Sequence, residues 1–332
     1  MARPVLLFSG PFADLPLAQV AAKAAEWSCD GLELCTWGDH LEVQRAVSDG
    51  DYVAARLQLL AEHDLQAAVI SAHRVGQAVC DAIDERHRAI LPDYVWGDGE
   101  PEGVRTRAAE ELIATIRVAQ QLGCGVISGF LGSRIWPWVI GWPAPRAEAI
   151  DAGYADFARR AEPILDACRD CGVRFALEVH PGQVAFDLVT AERTLAALEH
   201  REEFGFTFDP SHLHWQGVDP IEFLLRFPDR IFHVHVKDAV LQLNGRTSVL
   251  NSYLPAGDPR RGWEFRTPGR GGIAWESVLR TLHAIGYDGA LSLDWSDPGM
   301  DRDFGANEAC QFIRQVDFPA ASGSERIAFR SE

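Results

Sequence analysis

The sequence has no apolar run near the ~20 consecutive residues that a helix needs to span a bilayer. Its N-terminus also lacks the basic stretch, apolar core and small-residue cleavage site of a secretory signal. Positive charge is in deficit, with 31 Lys and Arg against 48 Asp and Glu for a net charge of -17. Phosphate neutralisation by basic side chains supplies most non-specific affinity for nucleic acid, so this balance argues against such a partner, a local basic groove excepted. No GxGxxG follows the first apolar segment, which removes the dinucleotide-binding fingerprint. No linker divides the chain. The seven cysteines are odd in number and scattered, so they read as free thiols. Cys168 and Cys171 form a lone CxxC, for which a redox pair or half a zinc site is the alternative. These absences leave a cytoplasmic, globular protein with no membrane partner, whose substrate is neutral or bound through a cation.

What is present is a rhythm. Short apolar runs recur at Pro4–Ser9, Gly31–Trp37, Ala67–His73, Gly125–Gly132, Arg174–His180, Gly205–Asp209, Ile231–Lys237 and Ala290–Trp295. Several are nearly continuous hydrophobic stretches, as expected of parallel strands buried on both faces. Helical patterns lie between them: Leu15–Ser28, Ala155–Cys171, Ala191–His200 and a last one near Gly305–Val316. Gly123 and Gly172 stand where two of these should end. The alternation predicts a single-domain α/β fold, a (β/α)8 TIM barrel, over residues 1–318, with a polar tail at 319–332. Three irregular insertions, Cys80–Pro101, Ser133–Pro145 and Leu241–Gly272, each follow a strand and should lie as lids over its C-terminal mouth. The second carries Trp136, Trp138 and Trp142, which either pack the lid down or stack on sugar rings.

Chemistry is concentrated at the ends of the last four strands. The fifth ends in Glu178 and His180, the sixth in Asp209 and His212, the seventh in His233, His235, Lys237 and Asp238, and the eighth in Asp294. A carboxylate inside a barrel is costly unless a partner neutralises it. Three carboxylates and a histidine converging from four strands make sense around a cation, and mixed oxygen and imidazole donors suit Mn2+, Mg2+, Co2+, Fe2+ or Zn2+. Each also has a plainer reading: ion-paired core carboxylates, and a hydrogen-bonded core histidine. His233 points the same way as His235 but deeper and reads as core. His180, on the face of Glu178, is a candidate acid/base or substrate hydrogen-bonding group. Lys237 faces inward with His235; Glu33 on the second strand and His73 at the end of the third are further pocket candidates.

The phrases "ALEVH", "FDPSH" and "HVHVKD" make the chain resemble the xylose isomerase-like barrels, the sugar phosphate isomerases/epimerases. The resemblance covers nearly the whole chain and is strongest from Phe175 to Asp297. It implies one divalent ion, commonly Mn2+, held by Glu178, Asp209, His235 and Asp294, with His212 contacting substrate or sharing the metal. Asp294 stands where that family carries glutamate, and Asp297 is the alternative fourth ligand.

The implied chemistry is removal of a C–H proton beside a carbonyl of a keto sugar, giving isomerisation or epimerisation, with His180, Glu178 and Asp294 as the catalytic candidates. His212, Lys237, His73, Glu33, Trp136 and Trp138 would line the substrate. A second reading is elimination. The aromatic lid and the 294–314 segment resemble the barrel subunits of C-glycoside deglycosidases, lyases of 3-keto glycosides that pair with a small second subunit. Homo-oligomers are common for such barrels. A DNA-repair endonuclease would need more His and Glu ligands, where the fourth strand offers Ser128. A non-catalytic sugar-binding barrel is the remaining alternative. For a phosphate group, Arg266, Arg270 and the Gly269–Gly272 stretch offer a candidate cradle with little to recommend it.

Overall fold

The computed structural model describes residues 2–319. Eight parallel strands close into one barrel. They are β1 (Val5–Phe8), β2 (Gly31–Cys35), β3 (Gln66–Ser71), β4 (Val126–Gly129), β5 (Arg174–Glu178), β6 (Phe204–Phe208), β7 (Ile231–Val236) and, after an antiparallel hairpin of β8 (Asp238–Leu241) and β9 (Trp263–Arg266), β10 (Leu291–Leu293). The order around the barrel is β1-β2-β3-β4-β5-β6-β7-β10, returning to β1. Each barrel strand overlaps a run anticipated from sequence; β3 and β6 begin one residue before theirs, and every strand ends one to three residues short of its run.

Outward-facing Leu, Val, Ile and Phe of these strands pack under the helices, and this shell between strands and helices is the hydrophobic core. The barrel interior is more polar than usual: Glu33, Ser128, Thr207, His233, His235 and Ser292 are all buried there. They satisfy one another across the lumen, as Ser128 Oγ does with Thr207 Oγ1 at 2.8 Å.

The helix Pro101–Leu122 ends at Gly123 and the helix Ala147–Cys171 at Gly172, both glycines in the left-handed conformation. The second helix starts eight residues earlier than the sequence pattern indicates. Gly153 looks like a break in that pattern but serves as a packing gap, since a Cβ there would come within 2.3 Å of Ile135 Cγ2. Cys168 is buried and Cys171 partly so on this helix, and every described cysteine is a free thiol.

The insertions are more ordered than expected. Cys80–Pro101 holds two single-turn helices, Glu85–Arg88 and Asp93–Trp96, and Ser133–Pro145 holds the short turn Trp136–Trp138. The largest departure is Leu241–Gly272, expected to be irregular. Its Trp263–Arg266 stretch pairs antiparallel with β8 in the register Asp238↔Arg266 to Leu241↔Trp263. Only Lys237 separates the barrel strand β7 from the hairpin strand β8.

Asp238 is the post on which this hairpin turns. Its wholly buried carboxylate accepts hydrogen bonds from the amides of Gly269 (3.0 Å) and Ile273 (3.1 Å) and from Trp275 Nε1 (3.0 Å). The glycines permit this approach: a Cβ on Gly271 would lie 2.1 Å from Asp238 Oδ1. The amides that a phosphate would need are therefore occupied by an internal anion. The Gly269–Gly272 stretch is a wrapping around Asp238, and Arg270 pairs with Glu308 at its side.

Truncating Asp238 strands several buried donors, each worth ~1–3 kcal/mol when left unmade. Asp238→Ala should lower stability by about 3 kcal/mol or more in urea unfolding, and Gly271→Ala should also destabilise by forcing the same contact apart. Unfolding midpoints equal to the unmodified protein would show that the hairpin is anchored elsewhere.

Candidate metal centre

The ends of β5, β6, β7 and β10 bring Glu178, Asp209, His235 and Asp294 to the C-terminal mouth, as the strand-end pattern anticipates. All four are buried. Their ligand atoms form overlapping groups compatible with one ion: His73, Glu178 and His235; Glu178, Asp209 and His212; and Asp209, His235 and Asp294, each group within 4.8 Å. A fourth group, Glu33, His233 and His235, lies deeper in the lumen.

The lone pairs are arranged for a cation. One Asp209 oxygen accepts from Ser211 N (2.8 Å) and Ser211 Oγ (2.7 Å), fixing the carboxylate as the cap of the helix Pro210–Gln216. The other, Oδ2, is buried with no hydrogen-bond partner, and so are His235 Nδ1 and both ring nitrogens of His212. His212 Nε2 lies 3.0 Å from Glu178 Oε1 and His235 Nδ1 lies 3.3 Å from Glu178 Oε2, without hydrogen-bond geometry. Buried polar atoms left unpaired are rare, and their convergence here matches the oxygen and imidazole donors of a divalent ion.

Burial sets the electrostatics. It pushes the Asp209 carboxyl above its ordinary range, against the charges of His212 and Lys237. Burial pushes Glu178 the same way, but the imidazoles of His212, His235 and His73 overcome it and hold the carboxyl well below the usual range. His73 Nε2 lies 2.7 Å from Glu178 Oε2, so His73 faces the ligand carboxylate directly.

Asp294 and Asp297 now separate. Asp297 lies outside every potential ligand group and is held by the Thr267 amide (2.9 Å) and the Gly299 amide (3.0 Å) as a loop anchor. Of the two residues open for the fourth position, Asp294 is the one placed among the potential ligand atoms. Asp294 is within the group, and its Oδ2 receives Lys237 Nζ at 2.6 Å. Burial lowers the affinity of Lys237 for its proton, yet Asp294, Asp209 and Glu178 raise it well above the ordinary lysine value. Lys237 is thus a fixed cation, and its Nζ also sits 4.6 Å from the centre of the Phe265 ring on β9.

His180 is the partly exposed ring of the cluster. Its Nδ1–H donates to the Pro181 carbonyl, which leaves Nε2 as a lone-pair acceptor. Burial, then the charge of His212, hold its imidazole well below the ordinary value, so it stands neutral. Its ring centre is 4.0 Å from that of His212. A collar of rings runs on from this pair, through Phe130 (5.1 Å from His180) and His73 (4.6 Å from Phe130) on one side and Phe265 (5.5 Å from His212) on the other.

Three pocket candidates take other places. Glu33 is wholly buried and faces His233, His235 and Ser292 rather than the mouth. Trp136 and Trp138 line a separate groove of about 320 Å³ with Ile135, Tyr154, Phe186 and Arg193, to which none of the four proposed ligands contributes. Sequence reading missed Phe265 and Phe130 as walls of the site. An apolar residue in an insertion or after a strand carries no signal of its own.

Comparison with known proteins agrees with this architecture. The sequence pattern of the xylose isomerase-like TIM barrels matches residues 21–316. The uncharacterised protein YfiH of Bacillus subtilis is 25% identical over 201 residues, 58% of this chain and 64% of that one. The inosose dehydratase of Geobacillus kaustophilus is 31% identical over 136 residues, 38% of this chain and 40% of that one. The chain thus spans less than two thirds of the length of these relatives. Among solved structures, the 3-keto-D-glucoside 4-epimerase YcjR of Escherichia coli superposes with a TM-score of 0.66 at 13% identity, covering 94% of this chain and 99% of that one.

Added Mn2+ should raise the thermal midpoint of metal-stripped protein, by about 2.7 kcal/mol of stabilisation at a hundred times Kd. Glu178→Gln and Asp209→Asn should lose most of that shift. Equal shifts in both variants and the unmodified protein would place the ion somewhere else.

Proposed function

The chain belongs to the xylose isomerase-like TIM barrels, and on that premise we propose that it is a divalent-metal enzyme that removes a proton beside the carbonyl of a keto sugar or keto cyclitol. Unpaired donors of Asp209, His235 and His212 converging at the strand ends carry this reading. Glu178, Asp209, His235 and Asp294 would hold the ion, with Mn2+ the first choice and Mg2+, Co2+, Fe2+ or Zn2+ as alternatives. Once bound, it supplies charge stabilisation for the substrate oxygens as the C–H bond breaks.

The chain's own residues account for the rest. His180, with Nε2 free and its tautomer fixed by Pro181, accepts the carbon-bound proton. Lys237 keeps positive charge beside Asp294 and cannot leave that carboxylate free to act as a second base. The collar of Phe130, His73, His212 and Phe265 offers apolar faces to the C–H surfaces of a ring and narrows the way for water.

The first step is common to isomerases, epimerases and lyases. Inverting a carbon centre calls for proton transfer on both faces, and therefore for two bases or one that moves. Elimination calls for one base, which can return its proton to the leaving hydroxyl so that water departs and a C=C bond forms beside the carbonyl. The pairing of Asp294 with Lys237, which leaves one base, favours elimination over epimerisation. The inosose dehydratase relative supports the same choice. A cytoplasmic location, homo-oligomerisation and a small partner subunit remain part of this proposal.

The test is incubation of the Mn2+-loaded protein in D2O with keto cyclitols, ketoses and 3-keto glycosides. Deuterium uptake with a growing enone absorbance supports elimination, and uptake with an epimer or isomer alone supports the other branch. His180→Asn should lower kcat by a factor of about 10²–10⁴ while leaving metal content intact. No exchange with any of these ketones would overturn the proposal.

A further inference from the structure

Glu33 lies on β2, across the lumen from β7, yet its carboxylate is the meeting point of three donors from the far side. Ser292 Oγ on β10 is 2.6 Å from Oε2, His233 Nε2 is 2.9 Å from the same oxygen, and His235 Nε2 is 3.1 Å from it. The side chain is wholly buried, so no solvent competes for these contacts. On the opposite edge of the His235 ring, Nδ1 faces Glu178 at 3.3 Å and has no hydrogen-bond partner. His235 is therefore held between a carboxylate that takes its Nε2 side and an open position on its Nδ1 side.

We infer that Glu33 is a positioning residue of the metal centre, accepting the Nε2 proton of His235 so that the Nδ1 lone pair is presented to the ion. This inference rests on the metal reading given above. An imidazole has one donor and one acceptor nitrogen when neutral, and the partner of one edge decides the role of the other. Such outer contacts of a ligating histidine fix its tautomer and orientation, and removing them commonly weakens metal binding 10–100-fold. His233 and Ser292 complete the arrangement. They converge on the Glu33 carboxylate and keep it aimed at His235, joining β2, β7 and β10 at one point. Glu33 thus serves the reaction without touching substrate, and its place under the site differs from that of a pocket wall.

The test compares Glu33→Gln with unmodified protein, using Mn2+ and Co2+ affinity by chelator competition and the visible spectrum of the Co2+ form. Glu33→Gln keeps volume and an acceptor oxygen, and Ser292→Ala provides a second, milder perturbation that leaves the carboxylate in place. The expected result is a 10–100-fold weaker affinity and an altered Co2+ spectrum in Glu33→Gln, with a smaller change of the same kind in Ser292→Ala. Unchanged affinity and spectrum with only a lower metal-free melting temperature would overturn the inference, leaving Glu33 as a strut. If the unmodified protein binds neither ion, the metal reading falls and this one with it; if it binds and Glu33→Gln matches it, only this inference falls.

Discussion

Four carboxylates, Glu33, Glu178, Asp209 and Asp294, are buried in and above the lumen of one barrel, and their mutual repulsion is the constraint on which the rest depends. Like charges at this depth are tolerated only when cations or donors stand between them. The protein answers with imidazoles. His235 lies between Glu33 and Glu178, His212 faces Glu178 and Asp209, His73 caps Glu178, and Lys237 takes Asp294. Even so, one Asp209 oxygen has no hydrogen-bond partner. A shell this close to balance, with its unpaired atoms converging, is what a removable divalent charge would complete.

The polar interior follows from the same constraint. A barrel can fill its lumen with branched aliphatic layers, but aliphatic neighbours could not support Glu33. The lumen instead carries Ser128, Thr207, His233 and Ser292, while the hydrophobic core lies outside the strands. Stability and site preparation are thereby assigned to opposite faces of the same eight strands.

Much of this was legible in the sequence. Polar residues ending four consecutive apolar strands, together with the family phrases around them, brought Glu178, Asp209, His235 and Asp294 into view without coordinates, although each alone also read as an ion-paired or hydrogen-bonded core residue. Less visible was anything decided by pairing across the fold. Glu33 reads as a pocket candidate from its place on the second strand, but depth along the lumen depends on strand stagger, which the sequence does not display. Asp294 and Asp297 look interchangeable in "LDWSDP" until the Thr267 and Gly299 amides claim one of them. Nor could the β8–β9 hairpin be seen, since two four-residue strands separated by 21 residues leave no periodicity to detect. The Trp136 and Trp138 lid had two open readings, and the structure seats both side chains in a groove of their own.

The single residue between β7 and β8 has a consequence for how such an enzyme can change. His235, Lys237 and Asp238 lie within four consecutive residues, so the floor of the candidate site and the root of the hairpin are tied by a single connecting residue. The hairpin beyond Leu241 leaves that root through a tip at residues 242–262 that carries none of the proposed ligands. The proposed ligands and the tip therefore occupy adjoining but separable lengths of chain. Lineages, or designers, can lengthen, shorten or exchange the tip while the anchored root keeps the chemistry in register.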